Sequence, residues 1–218
     1  MSKFFHGGMN DRAISPAYRI ETDRMVIRCY NPSDARLLAK AVQESKEHLL
    51  PWMPWAGAEP EDLQKKIERL RGMRANFDLG KEYVFGIFNK SETELIGGSG
   101  LHRRVGDKAL EIGYWIDVNY INQGFATEMA KALTKVAFEI EKVKRVEIHC
   151  DPKNLASAAI PKKLGFVHEA TLRHRNVTFA GESRGTMVWS MLSEEYQNSF
   201  IPQLNISVLD AIGRKFEI

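Results

Sequence analysis

Five residues between a strand-like run and a helical run, Asn122-Gln123-Gly124-Phe125-Ala126, carry the first chemical possibility in this chain. Gly124 and Ala126 are small, so a ligand can come close to the backbone there. The helical run that follows, from Thr127, opens with N–H groups that lack intrahelical partners and with the positive end of the helix dipole. Together these favour a phosphate. An ordinary strand-to-helix turn has the same appearance, so the loop alone leaves both readings open. A second position is Asn154, which precedes a short helical run and suits its N-cap. Ser157 lies one turn further on and opens on the same mouth. A third is PWMPWA at 51–56, where prolines break a helix and hold Trp52 and Trp55 close together. Rings so placed either cap a core or line a groove.

Several elements must position these residues. Residues 110–118 are rich in aromatic and β-branched side chains and read as a strand. Met129, Leu133, Val136 and Ile140 repeat at helical spacing, with Thr127, Glu128, Lys131, Lys135 and Glu139 expected on the opposite, outer face. Residues 145–151 read as another strand. Upstream, 18–30 reads as a strand pair or one strand interrupted at Glu21-Thr22-Asp23. Asn31-Pro32-Ser33-Asp34 signals a helix start, and that helix is expected to run to about residue 50. A second helix is expected over 61–77, with Leu63, Ile67, Leu70 and Met73 inward. Strands over 82–88 and 95–101 form a hairpin. Gly97, Gly98 and Gly100 lie in a strand with no helix after it, so they make room for neighbouring backbone or a ligand and are not a phosphate loop. Pro161 should bend or end the helix after Asn154, and Gly165 caps it. Two helices before three strands, then helix, strand, helix and two strands, describe a mixed α/β sheet.

Four segments, EIGYWI (111–116), GFATEMAKAL (124–133), CDPKNLAS (150–157) and KKLGF (162–166), occur in register. With them the chain resembles the GNAT superfamily of acetyl-CoA-dependent N-acetyltransferases, most nearly its RimJ/RimL branch, which acetylates protein N-termini. The resemblance spans about residues 18–195. It implies the GNAT fold, a mixed central sheet of about seven strands flanked by helices and splayed between the fourth and fifth strands, those at 110–118 and 145–151. It implies that the pantetheine arm of acetyl-CoA lies in the splay, along Ile116, Asp117 and Val118. The pyrophosphate would sit on the N–H groups of Gln123, Gly124, Phe125, Ala126 and Thr127, in a loop shaped by Asn122. Asn154 would bond the coenzyme arm, and Ser157 would give a proton to the leaving thiolate. Trp52 and Trp55 would lie near the acceptor groove.

One departure stands out. The family pattern places Arg or Gln three residues before the first Gly, and this chain has Ile121 there, followed by Asn122 where Gly is common. Asn tolerates left-handed backbone, so the loop should keep its shape, with a weaker hold on phosphate. Acyl transfer to an amine needs a base, since an ammonium is no nucleophile. Glu111 in the central strand is the first candidate, with Glu169 and His174 as rivals. A strand N–H freed by the splay would serve the carbonyl oxygen. Neither cysteine sits in a motif for covalent catalysis, so direct attack in a ternary complex is expected.

Composition bounds the rest. The chain has 218 residues, 44% hydrophobic and 27% charged, with a formal net charge of +3. That suits one soluble domain, gives no argument for nucleic acid, and leaves no run long enough to span a membrane. Two cysteines, Cys29 and Cys150, and no signal-peptide pattern are those of a cytoplasmic protein. Six scattered histidines give no metal-ligand spacing, so no metal is expected. Residues 1–16 read as an N-terminal arm and 17–195 as the acetyltransferase domain. Residues 196–218 are too apolar for a solvated tail, so this extension packs on the domain or on a second subunit of a homodimer. The expected reaction moves acetyl from acetyl-CoA to a primary amine, first a protein N-terminal amine of ribosomal-protein type. A small amine (polyamine or antibiotic) is the alternative acceptor, and a non-catalytic acyl-CoA-binding module is the alternative class.

Overall fold

The structure is a computed structural model that describes residues 16–218. Most of the N-terminal arm, residues 1–15, lies outside the described residues. A single nine-stranded sheet runs through the molecule in the order β7-β8-β6-β5-β4-β3-β2-β1-β9. Its strands are β1 (Arg19–Glu21), β2 (Met25–Cys29), β3 (Tyr83–Asn89), β4 (Leu95–His102), β5 (Ala109–Ile116), β6 (Arg145–Cys150), β7 (Val167–Val177), β8 (Ser183–Leu192) and β9 (Ser207–Leu209). The helices are α1 (Ala35–Leu49), α2 (Leu63–Asp78), α3 (Phe125–Glu139), α4 (Leu155–Leu164) and α5 (Ser193–Gln197). Nine strands replace the expected seven. Residues 18–30 form two strands that turn at Thr22, and β9 comes from the C-terminal segment. The splay accordingly falls between the fifth and sixth strands.

The sheet is covered on both faces, which is why β4 is buried along nearly its whole length. The helices α1 and α2 pack Leu38, Val42, Leu49 and Leu70 against Val26, Phe88 and Leu95 on one face. On the other, α3 lays Met129, Leu133 and Val136 over Ile27, Phe85, Ile87, Leu101 and Ile112. Asp62 caps α2 by accepting from the N–H groups of Gln64 and Lys65. Leu63, Ile67 and Met73 of α2 are only half-buried, whereas Lys66 is fully buried in an ion pair with Glu59 at 2.5 Å. In β4, a Cβ on Gly97 would fall 2.2 Å from the Trp115 carbonyl oxygen, and one on Gly98 would fall 2.5 Å from the Trp115 indole nitrogen. These glycines make room for the neighbouring strand and its tryptophan.

The outer face expected for α3 needs correction. Lys135 is buried, because the C-terminal segment crosses it: its Nζ donates to the carbonyls of Pro202 (2.8 Å) and Leu204 (2.9 Å). Burial lowers its pKa. The segment enters through Ile201, fully buried, and continues past Leu204 into β9, which pairs antiparallel with β1. Replacing Ile201 by Ala should therefore cost about 2–4 kcal/mol of stability, read as a shift in the urea midpoint. An unshifted midpoint would mean that this segment contributes nothing to the core.

Candidate active site

Two strands part at the centre of the sheet. β5 and β6 pair in parallel only over Ala109↔Arg145, Leu110↔Val146 and Glu111↔Glu147. Beyond that rung β5 stays with β4 as far as Ile116↔Gly97, and β6 stays with β8 as far as Cys150↔Met187. The N–H of Asp117 donates to the Ile96 carbonyl at 2.8 Å. Antiparallel alternation then turns the N–H and C=O groups of Tyr114 and Ile116 to the opposite edge, toward β6. Asp117 itself presents no amide to the splay. Its buried carboxylate accepts from the N–H of Asn119 at 2.8 Å, and burial raises its pKa. The Val118 N–H is also engaged, donating to Ser45 Oγ at 2.9 Å. Of the three residues expected to carry the coenzyme arm, Ile116 alone keeps an edge.

The loop leading into α3 has the conformation an anion site needs. Asn122 adopts φ +59° and Gly124 φ +84°, both left-handed, and Gly124 is the N-cap with no side chain bonded to the helix end. No acceptor among the described residues takes the N–H groups of Gln123, Gly124, Phe125, Ala126 or Thr127. Five backbone donors at the head of a fifteen-residue helix fit a pyrophosphate. Ile121 is partly buried and packs against the core, so it offers the anion no charge.

At the far side of the splay, Asn154 caps α4, its Oδ1 accepting from the Ser157 N–H at 3.0 Å. Pro161 does not end this helix, which runs to Leu164. It does remove the N–H that would have bonded the Ser157 carbonyl four residues back. The Tyr114 hydroxyl takes that place, donating to the Ser157 carbonyl at 3.3 Å and lying 2.9 Å from Ser157 Oγ. Burial raises the Tyr114 pKa, so the phenol stays protonated. Cys150 lines the same space, and burial pushes its thiol up to about 11, which leaves it an unreactive thiol at neutral pH.

These groups open into a cleft of about 820 Å³ whose walls include Trp52, Met53, Arg104, Glu111, Tyr114, Glu147, His149, Asn154, Ser157, Arg175 and Arg184. The cleft is roofed from two sides. A Cβ on Gly57 would lie 2.0 Å from the Phe179 ring, so the tip of the β7–β8 hairpin rests on the loop that carries Trp52. Arg184 of β8 donates to the Trp52 carbonyl at 3.0 Å. Trp55 is not brought to the cleft. It packs edge-on against Trp115, with ring centroids 6.1 Å apart.

Glu111 and Glu147 stand side by side on the last rung of the ladder. Arg104 binds Glu111 through two bonds of 2.8 and 2.6 Å. Burial alone would raise the Glu111 carboxyl, but the Arg104 bonds and the nearby charge of His149 hold it below the ordinary value. His149 lies between the glutamates, with Nε2 2.5 Å from Glu147 and Nδ1 3.5 Å from Glu111. Nothing around His149 in the sequence marks it, since a lone histidine in a strand has no signature. The rival bases lie elsewhere. His174 is exposed, bonding Ser183 Oγ at 2.6 Å. Glu169 is bound by Arg145 and Ser190, which hold its carboxyl at about 2.

A depressed carboxylate contributes stability that is present above its unfolded pKa and is lost as pH falls through the folded one. The Glu169 contribution should therefore fade between about pH 4.5 and 2. NMR titration of its side-chain carbon should give a midpoint near 2, and Glu169→Gln should leave kcat unchanged. A midpoint near 4.5, or a collapse of kcat, would contradict this placement.

Comparison with known proteins bears on these observations. The family described as an acetyltransferase (GNAT) domain matches residues 24–167, well over half of the chain. The uncharacterised N-acetyltransferase YnaD of Bacillus subtilis is 24% identical over 177 residues, covering 81% of this chain and 98% of its own. The ribosomal protein uS5 alanine N-acetyltransferase of Escherichia coli is 26% identical over 163 residues, 72% of this chain and 82% of its own. Mycobacterium smegmatis RimJ, solved with a coenzyme A disulfide, superposes with a TM-score of 0.70 at 22% identity, covering 83% of this chain and 87% of its own. Among the described residues no group of three or more His, Cys, Asp or Glu could hold a metal ion, and no helix is long and apolar enough to cross a membrane. The chain belongs to the GNAT acetyltransferase family, and it is an N-acetyltransferase whose co-substrate is acetyl-CoA.

Proposed function

We propose that this enzyme acetylates a protein N-terminal amine. The observation that carries the reading is the charge state of the cleft. Each of its three carboxylates already has a basic partner: Glu111 with Arg104, Glu147 with Arg145 and His149, Asp151 with Arg184 at 3.7 Å. A polyamine or aminoglycoside needs unpaired carboxylates to hold its several charges. An α-amine at the end of a chain needs a single proton acceptor and room for a backbone, and the open cleft supplies both. The E. coli relative named for ribosomal protein uS5 points the same way.

When bound, the coenzyme supplies an acetyl thioester, and we assign its pyrophosphate to the N–H groups of residues 123–127. The edge amides of Tyr114 and Ile116 hold the arm and offer a donor where carbonyl charge develops. The amine's proton passes, directly or through one water, to the Glu111–His149 pair. Arg104 holds Glu111 as a weak base, so His149 takes the proton, its ring held by the Glu147 carboxylate 2.5 Å from Nε2. Ser157 Oγ–H donates to the leaving thiolate, and the Tyr114 hydroxyl beside it fixes its orientation. Trp52 borders the acceptor path, whereas Trp55 supports the loop from behind.

The acceptor is tested by offering acetyl-CoA with peptides bearing free N-termini, and separately with spermidine and kanamycin. Acetylation of the peptide α-amine with little turnover of the polycations is expected, and turnover confined to the polycations would refute the reading. For the residue roles, Ser157→Ala should lower kcat by about 100-fold with KM for acetyl-CoA nearly unchanged. His149→Asn should likewise lower kcat by about 100-fold with KM for acetyl-CoA nearly unchanged. Wild-type kcat in both variants would remove these assignments while leaving the acceptor class standing.

A further inference from the structure

The missing basic residue at position 121 has a replacement in space. Arg24 immediately precedes β2, about a hundred residues earlier in the chain, and reaches the coenzyme loop and the first turn of α3 at three points. Its Nη1 donates to the Gln123 carbonyl at 3.0 Å. Its guanidinium lies over the Phe125 ring, 4.3 Å from the centroid. Its Nε donates to Glu128 Oε2 at 2.6 Å, and its Nη2 lies 2.5 Å from the same oxygen. Thr22 Oγ1 donates to the other oxygen of Glu128 at 2.6 Å. Glu128 sits in the first turn of α3, the same turn whose N–H groups face the anion site. An uncompensated carboxylate there would oppose a pyrophosphate across a few ångströms.

We propose that Arg24 is a positioning residue for the coenzyme: it neutralises Glu128 and holds the Gln123–Phe125 backbone in its left-handed turn, so that the loop amides receive an anion. This rests on the assignment of the pyrophosphate to residues 123–127. Much of the Arg24 side chain remains exposed, at 44%, so its loss should leave the fold intact. The cation tethers the loop from outside and leaves the anion to the backbone.

The test compares wild type with Arg24→Ala, Arg24→Lys, Glu128→Gln and the double variant Arg24→Ala/Glu128→Gln. Coenzyme A binding is measured by calorimetry. KM and kcat are measured with acetyl-CoA and with S-acetylpantetheine, which lacks the pyrophosphate. In Arg24→Ala, coenzyme A affinity should fall and KM for acetyl-CoA should rise by roughly tenfold, with kcat and KM for S-acetylpantetheine unchanged. Arg24→Lys should lie between, and Glu128→Gln should restore most of the affinity to Arg24→Ala. Unchanged coenzyme affinity in Arg24→Ala, an equal loss with S-acetylpantetheine, or no rescue by Glu128→Gln would each overturn the proposal. If wild type itself bound S-acetylpantetheine as tightly as acetyl-CoA, the pyrophosphate assignment would fall first and take the proposal with it.

Discussion

Two buried glutamates side by side, Glu111 and Glu147, mark the place where the central sheet divides. Like charges on adjacent strands repel, and burying them removes the water that would screen them. The structure offsets this with Arg104 on one side, Arg145 on the other and His149 between. This rung is the last that β5 and β6 share. Past it, each strand is held by its outer neighbour alone, and the gap between them becomes the site. The same two residues thus end the ladder and line the cleft that opens beyond it.

The loop into α3 is shaped by its backbone. Asn122 and Gly124 in left-handed conformations aim the following N–H groups outward, and the uncapped helix leaves them free. Ser45 and Ile96 engage the amides of Val118 and Asp117, which confines the free edge to Tyr114 and Ile116. On the opposite lip, Pro161 releases the Ser157 carbonyl and Tyr114 claims it. One tyrosine therefore lends its amide to the edge and its hydroxyl to the serine.

How much of this was legible in the sequence depends on the range of the contacts involved. Periodicity located the helices and the central strands, because an amphipathic face is a local property. Four short segments in register were enough for the GNAT fold, borne out by the family match. The expected strand total is too low because residues 18–30 divide into two strands, and because β9 is three residues long and exists only by pairing with β1, nearly two hundred residues away. Lys135 was placed on a solvated face because helical spacing cannot see the segment that returns across it. The loop 122–127 and the Asn154–Ser157 pair were visible, since capping and glycine chemistry are local. Tyr114 and Arg24 escape a sequence reading because each acts on a partner far along the chain, and His149 because a lone histidine in a strand has no signature.

The central claim is that the coenzyme occupies the parting of β5 and β6, with its phosphates on the head of α3. Amide hydrogen exchange followed by NMR, with and without coenzyme A, tests it residue by residue. Slowed exchange at Gln123 to Thr127 together with Tyr114 and Ile116 is the predicted result. Protection that bypasses both the loop and the β5 edge, or appears on only one of them, would contradict it.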